Sequence, residues 1–170
     1  MVNELVIRLN AMGDILLAIP AVRQLQNEGV NVHWLINKRW EELAPLLPAK
    51  VHLYDGAFNL LKMVKKFKLL NFSRVHDLQG KVASIIIRNL INKPITKYCK
   101  RSFYEQVNAF RGIYPLVGAD PEPVWKRYAN AMNLKITEPN ADLELSSSYM
   151  SECRDLLKSF DLKPNSYLLE

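Results

Sequence analysis

Two short segments of the sequence place glycine beside a polar or acidic side chain where a ligand could bind. One is the pair Gly13-Asp14, and the other runs from Asp77 to Gly80 and includes Gln79. Each follows an apolar run typical of a buried strand and precedes a helical pattern. Ligands of open α/β sheets bind at the carboxyl ends of strands. Both segments are therefore candidate parts of a binding site.

Asp14 has two interpretations from its position alone. It could cap the following helix, a role worth about 1 kcal/mol, or it could be a general base that faces a cleft. Gly13 would permit a sharp turn or the close approach of a ligand. The segment lacks the G-x-G-x-x-G pattern of dinucleotide sites and the Gly-Lys-Ser/Thr of a P-loop. A dinucleotide site is therefore disfavoured and a P-loop is excluded, and the carboxylate argues against phosphate at this turn.

The second segment allows a division of roles among its residues. Asp77 could cap the next helix, Gln79 could donate an amide hydrogen bond into the cleft, and Gly80 would relax the backbone. The three histidines are interpreted as packed or surface residues rather than catalytic ones: His33, His52 and His76.

Charge is concentrated in the middle of the chain. The net charge is +6, yet residues 50–101 hold twelve lysines and arginines against Asp55 and Asp77. Such a block favours an anionic partner: nucleic acid, an acidic membrane surface or a phosphorylated small molecule. Four lysines fall on or beside one face of a predicted helix, and they are interpreted as an anion-binding set or as a solvated surface: Lys62, Lys65, Lys66 and Lys68. A second basic cluster, which includes Lys97, Lys100 and Arg101, carries no RNP-like or helix-turn-helix pattern, so nucleic acid is disfavoured.

The elements that position these residues alternate along the 170-residue chain. The patterns predict strands at 5–9, 30–36, 51–54, 73–78, 94–98, 143–145 and 166–170. They predict helices at 15–26, 39–47, 58–70, 80–90, 102–117, 124–132 and 147–160. Pro20 requires the first helix to kink or to begin only near Ala18. The alternation predicts an α/β fold with a Rossmann-like, doubly wound and mostly parallel sheet.

The domain prediction is one Rossmann-like domain at 1–165. Residues 166–170 are predicted to be the first strand of a second domain that is absent, or else an edge strand of this sheet. No apolar run approaches the roughly 20 residues of a membrane span, and the N-terminus lacks a basic signal-peptide region. Cys99 and Cys153 suit a reducing compartment. We therefore expect a cytoplasmic protein.

Four segments in order resemble glycosyltransferase family nine, the lipopolysaccharide heptosyltransferases. Residues 5–22 resemble the start of that family, and 34–36 its second strand. Residues 75–84 resemble its Asp-Leu-Gln-Gly segment, and 124–128 its Arg-Tyr helix. The chain departs from the family pattern at Asn10, where serine is usual, and at Pro123-Val124, where a histidine is usual.

The resemblance implies a GT-B fold whose N-terminal half binds the acceptor and whose C-terminal half binds the nucleotide-sugar. The reaction implied is inverting, metal-independent transfer of a heptose or a related sugar from an ADP-sugar, with ADP-heptose as the expected donor, to the lipopolysaccharide inner core. Asp14 is then the general base. The substrate-binding residues are Asn10, Gly13, Gln79, Gly80 and the four lysines.

Two function hypotheses follow. The first is the acceptor-binding half of such an enzyme, inactive alone, which could lie at the inner face of the inner membrane because a basic face attracts anionic lipid. The alternative is a stand-alone anion-binding or interaction module without catalysis.

Overall fold

The computed structural model describes residues 2–98 and 122–139. The predicted elements at 102–117, 143–145, 147–160 and 166–170 lie outside these ranges. So do both cysteines, Lys100 and Arg101, and the predicted domain boundary at 165.

Among the described residues, five strands form one parallel sheet, as the alternating pattern predicts. They are β1 (Val2–Ile7), β2 (Val30–Asn37), β3 (Lys50–Tyr54), β4 (Arg74–Asp77) and β5 (Ile95–Lys97). Their order across the sheet is β3-β2-β1-β4-β5. The central strand β1 is apolar and buried at Leu5, Val6 and Ile7 because helices cover both of its faces. The predicted α/β, Rossmann-like fold is confirmed.

In the described ranges five α-helices connect or cover the strands: α1 (Met12–Leu16), α2 (Ile19–Asn27), α3 (Leu60–Leu69), α4 (Val82–Ile91) and α5 (Val124–Ala131). None of the helices in the described ranges is long and apolar enough to cross a bilayer.

The first predicted helix is two helices in the structure. It begins at Met12 rather than residue 15, and it breaks between Leu16 and Ile19. Pro20 lies in the first turn of α2, where its missing N–H costs nothing. The structure thus confirms the second possibility for Pro20, a helix that begins near Ala18. The predicted helix at 39–47 is instead the 3-10 segment Lys38–Leu46, which contains Pro45.

The sheet separates two apolar cores. On one face α1, α2 and α5 pack around the buried Trp34 and Tyr128. On the other face α3 and α4 pack around Phe67, Phe72 and Ile87. Side chains of β1 alternate between these cores, since Val6 enters the first and Leu5 and Ile7 enter the second.

Buried polar side chains also lie within the sheet. The rings of His33 and His52 stack with their Nδ1 and Nε2 atoms 2.8 Å apart. His76 binds Glu4 through Nε2 at 2.7 Å and Thr96 through Nδ1 at 2.7 Å. The hydrogen bond from His76 lowers the pKa of Glu4. All three histidines are buried, and they stay interpreted as packing residues.

Candidate active site at the carboxyl edge of the sheet

The carboxyl ends of β1 and β4 lie side by side, with Ile7 opposite Asp77 in the register. The chain continues from these strands in opposite directions, because β2 flanks β1 on one side and β5 flanks β4 on the other. Ligands of doubly wound sheets bind at such a switch point. The two segments singled out in the sequence therefore meet at the edge where a ligand is expected.

Arg8 joins three elements at this point. It follows the last residue of β1, and its side chain is almost completely buried. Its Nη1 donates to the carbonyl oxygen of Leu78, beyond β4, at 2.5 Å. Its Nη2 donates to Oδ2 of Asp14 in α1. The guanidinium also lies over the Tyr128 ring of α5, 5.4 Å from the centroid. Arg8 therefore fixes Asp14 relative to the sheet.

Asp14 lies in the first turn of α1, three residues after the N-cap residue Ala11. The N-cap interpretation is wrong by position, since the helix begins at Met12; the carboxylate instead reaches back toward the Ala11 N–H, 3.5 Å away. Its Oδ1 accepts a hydrogen bond from the Tyr128 hydroxyl at 3.2 Å. The side chain remains 37% exposed. Asp14 is thus a carboxylate held by partners on two other elements and open to a ligand.

Tyr128 supports Asp14 from the far end of the described chain. Burial, together with the negative charge of Asp14, raises the pKa of Tyr128 although Arg8 opposes the shift. The phenol therefore stays protonated and acts as a hydrogen-bond donor. The Tyr98 ring packs edge-on against the Tyr128 ring, with 4.9 Å between the two ring centroids. This contact helps to keep the Tyr128 hydroxyl beside Asp14.

Asp77 organises the second turn from within the protein. It is fully buried, and Oδ1 accepts from the backbone N–H groups of Gln79 at 3.0 Å and Gly80 at 2.9 Å. Its Oδ2 accepts from the Ser84 hydroxyl at 3.1 Å and from Arg88 Nη1 at 2.7 Å. Because both oxygens are engaged, Asp77 shapes the turn and is not placed to meet a substrate.

Gln79 ties the two turns together. Its Oε1 accepts a hydrogen bond from the backbone N–H of Asn10 at 3.1 Å, and the residue is buried. The Gln79 side chain, which was predicted to donate a hydrogen bond into the cleft, therefore links the turn after β4 to the segment after β1. The bond uses the backbone of Asn10, so it does not depend on the side chain that replaces serine there. Gly80 is exposed with φ +59°, a conformation that favours glycine.

Gly13 is exposed in α1, and a methyl group built on it would meet no atom within 4 Å. Its φ is not positive, so the sharp-turn interpretation is not needed. Open space at Gly13 agrees with the alternative interpretation, the close approach of a ligand to the backbone.

The four lysines do not gather at Asp14. All are exposed on α3, which packs on the opposite face of the sheet from α1. The carbonyl of Leu70, just past α3, accepts a hydrogen bond from Asn3 at the start of β1, at 2.8 Å. The last turn of α3, with Lys66 and Lys68, therefore lies toward the amino edge of the sheet. Lys62 lies in the first turn, nearest to the carboxyl edge.

A carboxylate at this position can accept a proton from a bound ligand. Asp14 offers a partly exposed carboxylate, and Arg8 and Tyr128 hold it in place. Within the described ranges, no group of three or more histidine, cysteine or acidic side chains could hold a metal ion.

The sequence patterns indicated Asp14 as a candidate site residue but did not indicate Arg8 and Tyr128, the two residues that hold it. Arg8 carried one usable signal, a charge within an otherwise apolar strand, since arginine is rarely buried without a partner. The 114-residue separation of Tyr128 from Asp14 left no local signal for that contact.

The comparisons with known proteins agree with the resemblance found in the sequence. No family model matches the chain. A curated relative, lipopolysaccharide heptosyltransferase 1 of Campylobacter coli, is 25% identical over 108 residues, which cover 59% of this chain and 32% of that protein. The similarity to glycosyltransferase family nine is thereby confirmed over part of the chain.

Solved structures show the same fold. A family 9 glycosyl transferase from Veillonella parvula matches with a TM-score of 0.69 and 14% identity, over 95% of this chain and 50% of that one. The ADP-heptose lipopolysaccharide heptosyltransferase II of E. coli matches with a TM-score of 0.61 and 15% identity, over 95% and 51%. E. coli heptosyltransferase WaaC, solved with ADP, matches with a TM-score of 0.54 and 17% identity, over 82% and 51%. The chain thus spans about half the length of these solved enzymes.

Proposed function

From this similarity we propose that the chain is the acceptor-binding half of a glycosyltransferase of family nine. The full protein would have a GT-B fold and would move a heptose from ADP-heptose to a sugar of the lipopolysaccharide inner core. The observation that carries the proposal is the partly exposed Asp14 carboxylate, held by Arg8 and Tyr128 at the switch point of the sheet. The curated relative and the solved enzymes supply the reaction class.

The proposed step is a single displacement without metal. The acceptor hydroxyl attacks the anomeric carbon of the heptose, the bond from that carbon to the diphosphate oxygen breaks, and ADP leaves with the electron pair. Asp14 takes the hydroxyl proton as the new bond forms, and the anomeric configuration inverts. A positioned general base contributes about 10²–10⁴-fold to such a rate. Arg8 and Tyr128 hold the carboxylate in one orientation.

The acceptor would lie along the edge formed by the two turns. Asn10, Gly13 and Gly80 border this edge, and Gln79 keeps the two turns in register. Lys62, at the start of α3, is the lysine best placed to meet an anionic group of the acceptor. We assign the other three lysines no acceptor contact because α3 carries them away from the site. The ADP-sugar would bind mainly to the second half of the protein.

The proposal is tested by separating binding from turnover. The 170-residue chain should bind a truncated inner-core acceptor in calorimetry, yet transfer no heptose when ADP-heptose is added. The full-length protein should do both. Transfer by the 170-residue chain alone would contradict its proposed incompleteness. Absence of acceptor binding by the 170-residue chain would contradict its acceptor-binding role and favour the non-catalytic module.

A further inference from the structure

A polar groove lies beside α2, on the same side of the sheet as α1. It encloses about 160 Å³ and is partly open to solvent. This volume holds several ordered waters or one small ligand. Four residues of α2 border the groove, and their spacing of i, i+3, i+4 and i+7 places them on one face of the helix: Pro20, Arg23, Gln24 and Asn27.

The other wall of the groove is the segment that follows α5. Helix α5 packs against α2, and Leu134, just beyond α5, is buried in the core that the two helices share. Ile136 packs against the same core, and Ile136 and Glu138 border the groove. Both walls are therefore anchored to one apolar core, so the groove is formed before any ligand binds.

Side chains that can both donate and accept hydrogen bonds are frequent in this groove. Three amides border it, those of Gln24, Gln26 and Asn27, and each has two N–H donors and a carbonyl acceptor. The Gln24 amide nitrogen donates to Glu28 Oε1 at 3.1 Å, which holds this side chain along the helix. The amides are thus placed to meet a ligand that also offers donors and acceptors together.

Charge and shape narrow the class of ligand. Among the described residues, the lining holds one cation, Arg23, and one acid, Glu138, a balance that favours neither an anion nor a cation. The same residues include no aromatic ring on which a nucleobase could stack. Pro20 and Ile136 supply apolar surface between the polar groups. A neutral sugar matches this lining, because its hydroxyls donate and accept and its C–H groups are apolar.

We propose that this groove binds one neutral sugar residue. The amides and Arg23 bind the hydroxyls, and Pro20 and Ile136 contact the C–H face of the ring. The site goes beyond the proposed function and does not depend on it, since neither Asp14 nor Tyr128 borders the groove. A sugar held here lies apart from the carboxylate assigned to the transfer step.

Saturation-transfer difference NMR tests the proposal with the 170-residue chain. The probes are the methyl glycosides of glucose, galactose and mannose, and inorganic phosphate and AMP serve as competitors. We expect saturation transfer to at least one glycoside, and neither competitor should displace it. Gln24→Ala and Glu138→Ala should each weaken this binding about fivefold or more, because each removes hydrogen-bonding groups from the groove.

Asn89→Ala is the matched control, because Asn89 is an exposed helical amide on α4, across the sheet from the groove. It should bind the glycoside like the original chain, and far-UV circular dichroism checks that all variants fold. Asp14→Asn should also bind normally, which separates failure of this proposal from failure of the proposed function. The proposal would be overturned by the absence of saturation transfer to all three glycosides, by unchanged binding in either groove variant, by equal loss in Asn89→Ala, or by displacement with phosphate or AMP.

Discussion

Replacing Asp77 by alanine should destabilise the protein more than any other change at the carboxyl edge. The carboxylate is fully buried and accepts four hydrogen bonds, from two backbone N–H groups, Ser84 and Arg88. Its removal leaves the largely buried Arg88 guanidinium without its counter-charge. Breaking a buried ion pair by removing one partner costs about 3–5 kcal/mol. Since domains are stable by about 5–15 kcal/mol, the variant would lose much of its stability.

The assay is urea unfolding of the 170-residue chain, followed by circular dichroism. Asp55→Ala is the matched control, because Asp55 also pairs with a cation, Lys38 at 3.0 Å, but both side chains are about half exposed. Exposed pairs contribute little to stability because water and salt screen them, so the control should unfold near the original midpoint. The double variant Asp77→Ala/Arg88→Met should recover part of the loss, since no unpaired charge remains. An Asp77→Ala variant within about 1 kcal/mol of the original chain would refute this account of the turn.

Two further predictions concern His52 and Tyr128. Burial lowers the pKa of His52 to about 4, and the positive charges of His33 and nearby lysines add to this shift. The ring therefore stays neutral in the native state, whereas the unfolded chain protonates it below about pH 6.5. The free energy of unfolding should therefore fall by up to about 1.4 kcal/mol per pH unit as the pH drops from about 6.5 toward 4. Urea titrations at pH 7 and pH 5 should show a smaller fall for His52→Gln than for the original chain. An equal fall would contradict the lowered pKa of His52. Tyr128→Phe removes the hydrogen bond to Asp14, and hydrogen bonds to charged groups contribute about 1.5–3 kcal/mol. In a protein that carries this segment together with the donor-binding half, kcat should fall by about tenfold or more with little change in KM. An unchanged kcat would contradict the role of Tyr128 in positioning Asp14.

The sheet could be predicted from the sequence because its signals are local. Strands buried on both faces give short apolar runs, and all five predicted strands in the described ranges are present. Their alternation with helices indicated a mostly parallel sheet, whereas the strand order and the switch point between β1 and β4 are known only from the structure. The first helix was harder, since Pro20 allowed two outcomes and the break between Leu16 and Ile19 depends on tertiary packing.

The site could be predicted only in outline. Asp14 and Gly80 were found because short turns carry their own signatures, whereas Arg8 and Tyr128 meet Asp14 through contacts that no local pattern encodes. Gln79 was expected to face a cleft, yet its carbonyl binds the Asn10 backbone from 69 residues away. The lysines were found as a helical face, but only the position of α3 on the sheet showed that the face leads away from Asp14.

The general-base role of Asp14 is tested most directly by Asp14→Asn in a protein that carries this segment together with the donor-binding half. Asparagine keeps the shape of the side chain and an oxygen for the Tyr128 hydroxyl, but it cannot take the acceptor proton. With ADP-heptose and an inner-core acceptor, turnover should fall by about a hundredfold or more, while calorimetry shows unchanged acceptor affinity. Turnover close to that of the unmodified protein would contradict the role assigned to Asp14.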